Sequence, residues 1–246
     1  SEDIRKLKRL EKSCQMQKVF NYSPYLYTPK VISKEWGFNE TNYFQFIMEY
    51  IDGVNPLLSY DYQFFVTRAV DFVKLCMNEC ELQNYRPIVF ESKILSIKDS
   101  IHQNKLFYKL RDVIYPNIDR LLKEFKKPIA LPSGFCHGDL TFNNMIAKNK
   151  KLYTFDILPS FINSPMLDIC KLRQDTELGW INCYEDINFE KLRKVDTYIE
   201  KTFKEYEFYV EHYRKMQALN MLRVIPYCND KKRLKTALEG FTSCIR

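Results

Sequence analysis

The chain has 246 residues, of which 46% are hydrophobic, and it carries a formal net charge of +7. That length and apolar content support one domain or two small lobes with a substantial core, and exclude a disordered, collagenous or disulfide-stapled chain. The positive residues are spread along the whole sequence without a recognisable nucleic-acid module, which predicts a solvated surface and no nucleic-acid partner.

Residues 1–20 are predicted to be helical. Ile4, Leu7, Leu10, Cys14 and Val19 approximate one apolar stripe, and Ser1, Glu2 and Asp3 suit a helix start. Pro29 to Trp36 and Asn42 to Tyr50 are predicted to pair as antiparallel strands around a turn at Gly37-Phe38-Asn39. A long helix is expected from Tyr60 to Gln83, with Cys76 and Cys80 one turn apart in the core. Pro87 to Ile101 is ambiguous, and a further helix is expected over Lys105–Phe125, kinked or divided at Pro116. Pro128 and Pro132 predict a loop. MIAKN and KLYTFD are expected to form a hairpin around Asn149-Lys150-Lys151. Helices are then expected at Ser164–Leu178, Ile187–Val210, Tyr213–Ile225 and Asp230–Phe241.

None of the eight cysteines has Cys-x-x-Cys spacing and only three histidines are present, which disfavours a zinc site. No signal peptide or apolar run of membrane-spanning length is evident. The expectation is free thiols in a reducing cytoplasm and no membrane insertion.

Chemistry concentrates in GFCHGDLTFNNMIAKNKKLYTFD, residues 134–156. Asp139 precedes Asn144 by five residues, and the hairpin should carry Asp156 back beside Asn144. An amide oxygen and a carboxylate are hard donors suited to magnesium, and a further carboxylate can orient a hydroxyl and accept its proton. His-x-Asp-x-x-x-x-Asn, followed by an Asp on the next hairpin, is the spacing of a kinase catalytic loop.

HGDLTFNNMI followed by LYTFDILPSFINSPMLDICKL resembles the aminoglycoside phosphotransferase and choline kinase family. The resemblance is sharp over 135–172 and softer elsewhere. It implies an α+β, protein-kinase-like fold, with a partial small lobe and hinge over 1–50 and a mainly helical lobe over 51–246 that includes an acceptor-binding subdomain. It also implies ATP-dependent phosphorylation of a hydroxyl on a sugar, amino sugar or amino alcohol. In that scheme Asp139 and His137 are the catalytic-loop residues, Asp139 taking the proton and His137 bracing the loop with Asp168, while Asn144 and Asp156 bind Mg2+. Met48, Glu49, Tyr50 and Ile51 form an adenine-binding hinge, and Glu11 occupies the position that pairs with an ATP-contacting lysine. Arg173, Asp175, Glu177 and Trp180 fall where the family places part of its acceptor pocket, and Glu185 and Asp186 could add acidity there.

The sequence departs from the family in having no Gly-rich loop and no strand lysine ahead of the first helix; Lys6 and Lys8 lie on the helix itself. A preceding segment carrying both is expected. A kinase-like module that binds nucleotide without turnover is the alternative reading.

Overall fold

The computed structural model describes residues 2–20, 23–38 and 42–245. The chain forms two compact units, Ser1–Glu79 with Gly134–Asp168, and Cys80–Ser133 with Ile169–Arg246.

The first unit opens with α1 (Glu2–Val19), followed by the antiparallel ribbon β1 (Val31–Phe38) and β2 (Asn42–Met48). Gly37 and Phe38 belong to β1 rather than to the predicted turn, and Asn39 lies outside the described residues. α2 runs from Tyr62 to Asn78 and buries Phe65, Val66, Ala69, Val70, Phe72, Val73, Cys76 and Met77, the apolar face expected of a packed amphipathic helix.

The hairpin β5 (Met145–Lys148) and β6 (Lys151–Thr154) follows the 3-10 turn Phe142–Asn144. Its loop is the two residues Asn149 and Lys150, at φ 48° and 58°, rather than the three expected. Two successive positive φ values give the turn whose twist matches paired strands. The hairpin is clasped on both sides. Tyr27 exchanges backbone bonds with β6 (Tyr27 N–H to Leu152 O, 2.9 Å; Thr154 N–H to Tyr27 O, 2.7 Å), and Val54 does so with Ala147 of β5 (3.1 and 2.8 Å). Gly53 makes the second clasp feasible, because a Cβ there would stand 2.6 Å from the Ala147 carbonyl oxygen.

The second unit contains β3 (Glu81–Tyr85) and β4 (Ile129–Ser133), which pair antiparallel from Glu81↔Ser133 to Tyr85↔Ile129. Both correct the sequence reading. The long helix predicted to Gln83 ends at Asn78, leaving Cys80 beyond it, and the predicted Pro128–Pro132 loop is a strand. A two-stranded ribbon has only edges, so Pro132 is tolerated within it. The ambiguous stretch is α3 (Pro87–Gln103), with proline in its first turn. The predicted Lys105–Phe125 helix divides into a 3-10 segment, Lys105–Leu110, and α4 (Arg111–Glu124), which accommodates Pro116 internally.

α5 (Pro165–Thr176) begins in the first unit and continues into the second. α6 (Phe189–Phe203) is capped by Asn188, whose side chain accepts the amides of Glu190 and Lys191, and it buries Leu192, Val195, Ile199 and Phe203 at helical spacing. α7 (Glu207–Val224) and α8 (Lys231–Cys244) complete the unit, Asp230 capping the latter. The α6–α7 break therefore falls at 204–206, earlier than expected and without a proline or glycine to announce it. All eight cysteines are free, and among the described residues no helix is long and apolar enough to cross a membrane.

Candidate active site

The loop between β4 and β5 is fixed by backbone and side chain together. Gly138 has φ 82°, and a Cβ there would lie 2.1 Å from the Leu158 carbonyl oxygen. Only glycine meets both conditions, so the middle residue of His-Gly-Asp is set by steric need. Leu158 N–H donates to the His137 carbonyl at 2.9 Å, joining the strands of chain on either side of the hairpin.

Asp168 is fully buried, at 0% exposure, and receives the loop from beneath. Its Oδ2 accepts the His137 amide at 2.7 Å and its Oδ1 accepts the Gly138 amide at 2.8 Å. Charge-assisted bonds of this length satisfy two buried donors with one carboxylate.

His137 is equally buried, and both its ring nitrogens are used. Nδ1 faces the Asp139 amide at 3.3 Å and Nε2 lies 2.7 Å from Thr154 Oγ1. An amide can only donate, so Nδ1 is the acceptor and Nε2 carries the proton. Thr154 passes the chain on by donating its hydroxyl to the Asn144 carbonyl at 3.1 Å. Burial pulls the His137 pKa from 6.5 down to about 4, against the opposing pull of the Asp139 charge. The ring is neutral at pH 7, edge-on to Phe20 of the first unit. It is placed to hold the loop; no open face remains for a substrate.

Asp139 and Asn144 are brought together directly. Asn144 Nδ2 donates to the Asp139 carbonyl at 2.9 Å and to Asp139 Oδ2 at 3.0 Å. The amide nitrogen is thereby spent on Asp139, which leaves Asn144 Oδ1 as the oxygen donor. Phe155 N–H bonds to the Asn144 carbonyl at 3.1 Å, just beyond the last strand pair Met145↔Thr154, and so delivers Asp156 to the same end of the hairpin. Asp156 is exposed and sits at φ 60°, a left-handed conformation that aspartate tolerates better than most residues. Its carboxyl pKa is raised, by desolvation first and by the Asp139 charge second, with Arg9 of α1 pulling it down. Like charge crowded at one place is relieved by a bound cation. Among the described residues no group of three His, Cys, Asp or Glu side chains could hold a metal. The Asn144 amide oxygen and the Asp156 carboxylate, at one end of the hairpin beside the Asp139 charge, are hard donors of the kind that suits magnesium, which keeps water and phosphate as its remaining ligands.

The residues from 48 to 51 make backbone and side-chain contacts with α1 and with Lys30, just ahead of β1. β2 ends at Met48, whose sulfur faces the Gln17 amide. Glu49 N–H bonds to the Lys30 carbonyl at 2.8 Å. Ile51 is buried, whereas Tyr50 is exposed. Glu11 does not meet a lysine among the described residues; its Oε1 accepts the Trp36 indole N–H at 3.3 Å.

Sequence reasoning missed Thr154, Leu158 and Arg9. Thr154 had a usable signal. Met145 and Ala147 face inward on β5, as do Leu152 and Thr154 on β6, so a polar residue stands at a core position two residues before Asp156.

In the second unit, Arg173 is 2% exposed and committed to internal partners. Nε and Nη2 meet Asp196 Oδ1 and Oδ2 at 2.9 and 2.8 Å, Nη1 reaches the Tyr209 hydroxyl, and the guanidinium lies 4.6 Å from the Tyr213 ring centre. Glu177 pairs with Arg214 at 2.6 Å and accepts the Tyr213 hydroxyl. Trp180 is buried. Of the residues expected near an acceptor pocket, Arg173 and Glu177 thus neutralise one another's neighbourhood.

No protein-family profile matches the sequence, and no curated protein sequence matches it. Solved structures do match. The chain is similar to a thermostable mutant of an aminoglycoside phosphotransferase in its apo form, with a TM-score of 0.62 at 11% identity over 94% of this chain and 82% of that one. It is similar to a glucosamine kinase, with a TM-score of 0.55 at 8% identity over 96% and 69%. It is also similar to choline kinase from Cryptosporidium parvum, with a TM-score of 0.54 at 16% identity over 96% and 76%. The α+β, protein-kinase-like fold read from the sequence is the fold of these enzymes, and the family resemblance is borne out at that level.

Proposed function

We propose that the chain is a magnesium- and ATP-dependent phosphotransferase acting on a hydroxyl of a small molecule. The observation that carries this reading is the meeting of Asp139 with Asn144, and of Asp156 with the same charge cluster, on one rigid loop and hairpin. Asn144 Oδ1 and the Asp156 carboxylate would hold the magnesium, which supplies charge neutralisation for the ATP phosphates. Asp139 would orient the acceptor hydroxyl and take its proton as the oxygen bonds to the γ-phosphorus and the bond to the ADP oxygen breaks. Asn144 Nδ2 limits the rotation of Asp139, and Asp168 with His137 fixes the backbone beneath it. The 48–51 segment would take the adenine edge. The aminoglycoside phosphotransferase, glucosamine kinase and choline kinase folds suggest the acceptor class: a sugar, amino sugar or amino alcohol.

The test is calorimetric titration with ATP in the presence and absence of magnesium, with Asp156→Asn beside the wild type. Turnover is then measured on aminoglycoside, glucosamine and choline acceptors with Asp139→Ala as control. Magnesium-dependent binding lost in Asp156→Asn, together with turnover lost in Asp139→Ala, supports the reading. Nucleotide binding without turnover of any hydroxyl acceptor would favour a non-catalytic module.

A further inference from the structure

The first unit contains a cavity of about 480 Å3 beside the segment that leads into His137. One wall is α1, through Lys12, Gln15 and Met16. The other is Gly134, Phe135 and Cys136, with Pro159 and Asn163 closing the far side. The two loop segments are tied to each other by the Gly134 amide, which donates to the Asn163 carbonyl at 3.0 Å. The cavity's base is therefore fixed. Phe20, one turn beyond Met16, packs its ring 5.3 Å from Phe135 and anchors the helix at one end.

We propose that this cavity is a binding site for an organic anion with an apolar body, such as an aryl sulfonate or a medium-chain carboxylate. Its volume falls in the range of small-molecule sites, roughly 300–1,000 Å3. Its chemistry selects the ligand. Met16, Phe135, Cys136 and Pro159 give apolar walls. Among the described residues of the lining Lys12 is the one charged group, and none of them is a carboxylate. Among the described residues Lys12 has no carboxylate partner of its own, so an incoming anion displaces nothing. Gln15 and Asn163 supply amides for the anion's remaining acceptors. Phe135 is 39% exposed, a large aromatic surface for a loop residue one step from the buried Cys136, and a ligand would cover it. The ligand would touch the three residues immediately before His137 and the helix that carries Glu11, and would join the two.

The experiment uses 1-anilinonaphthalene-8-sulfonate as the probe, with binding followed by its fluorescence and the site located by hydrogen exchange with mass spectrometry. The expected result is saturable one-to-one binding, with slowed exchange confined to peptides covering 12–16, 134–136 and 159–163. Lys12→Glu, an exposed substitution, should weaken binding about tenfold or more, the effect of losing one charge pair worth ~1.4 kcal/mol. Met16→Trp should block binding by filling the space, and the uncharged analogue N-phenyl-1-naphthylamine should bind more weakly than the sulfonate. Lys98→Glu, in the other unit, should leave binding unchanged. Probe binding that does not saturate, that is indifferent to both Lys12→Glu and Met16→Trp, or that slows exchange elsewhere overturns the proposal. None of these readouts depends on phosphotransfer.

Discussion

Asp168 grips His137 by its backbone and not by its ring: Oδ2 accepts the His137 amide at 2.7 Å, while Oδ1 takes the adjoining Gly138 amide at 2.8 Å. Asp168→Ala would leave two buried amides without acceptors, at roughly 1–3 kcal/mol each. The expected loss is about 2–6 kcal/mol, read by chemical denaturation. Asp168→Asn keeps the shape but turns an NH2 toward an amide donor, and should recover only part of that loss. If both variants unfold at the wild-type denaturant midpoint, the carboxylate does not hold the loop.

Gly138 gives a sharper test, because two independent constraints meet there. Alanine would need φ near 82° and would drive its Cβ to 2.1 Å from the Leu158 carbonyl oxygen. The clash is with backbone, so the 137–138 and 158 segments must separate. Gly138→Ala should cost more than about 2 kcal/mol, the sum of strain and a displaced backbone bond. Gly179 also has positive φ, at 65°, but a Cβ there meets nothing within 4 Å. Gly179→Ala should therefore cost clearly less, and equal losses at the two sites would contradict the steric account.

The neutral imidazole of His137 makes stability depend on pH. Its pKa is about 4 in the folded chain and near 6.5 in the unfolded one. Between those values the unfolded chain binds the proton and the folded chain does not. Stability is thus full above pH 6.5, falls as pH drops toward 4, and levels off below. The window is worth roughly 3 kcal/mol at 1.36 kcal/mol per unit. His212, whose pKa burial also lowers, adds a decline of the same sign. Comparing wild type with His137→Asn across pH 4–7 isolates the contribution of His137. A parallel pH dependence in the two proteins would remove the neutral-ring assignment.

The raised pKa of Asp156 gives the proposed magnesium site a pH dependence of its own. Partial desolvation and the Asp139 charge both disfavour its ionised form. Magnesium requires that form, so affinity should strengthen as pH rises through the elevated pKa and weaken below it. Asp139→Asn removes the repelling charge, and the midpoint of this dependence should then move down. Titration of magnesium by calorimetry at several pH values reads it directly. A midpoint unmoved by Asp139→Asn would mean that the two carboxylates do not share a field.

The candidate-site stretch was legible because its pattern is local. Asp139, Asn144 and Asp156 lie within eighteen residues, and the loop and hairpin that gather them follow from glycine, turn and alternation signals. Asp168 was legible only through the family's spacing, since an Asp after Ser-Pro is also an ordinary helix start. What escaped was non-local. β3 and β4 pair Glu81 with Ser133 across fifty-two residues, and neither strand's own pattern competes with the helical period running out of α2 or with Pro128 before and Pro132 within the second strand. The α6–α7 break has no proline or glycine in it. Thr154 was passed over because its role depends on a ring that reaches it from residue 137.

Arg173 belongs to the non-local class, and its worth can be measured. It is almost wholly buried and is held by a bidentate pair with Asp196, by the Tyr209 hydroxyl and by the face of Tyr213. Arg173→Ala would strand Asp196 beside Glu200, which lies 3.7 Å from the guanidinium, and Glu177, at 3.4 Å. Removing one partner of a buried pair costs roughly 3–5 kcal/mol. Arg173→Lys keeps the charge but loses the planar fork that meets both Asp196 oxygens and lies flat on Tyr213. It should recover less than half of the loss. A lysine variant as stable as wild type would show that charge alone, and not the fork, joins α5 to α6 and α7.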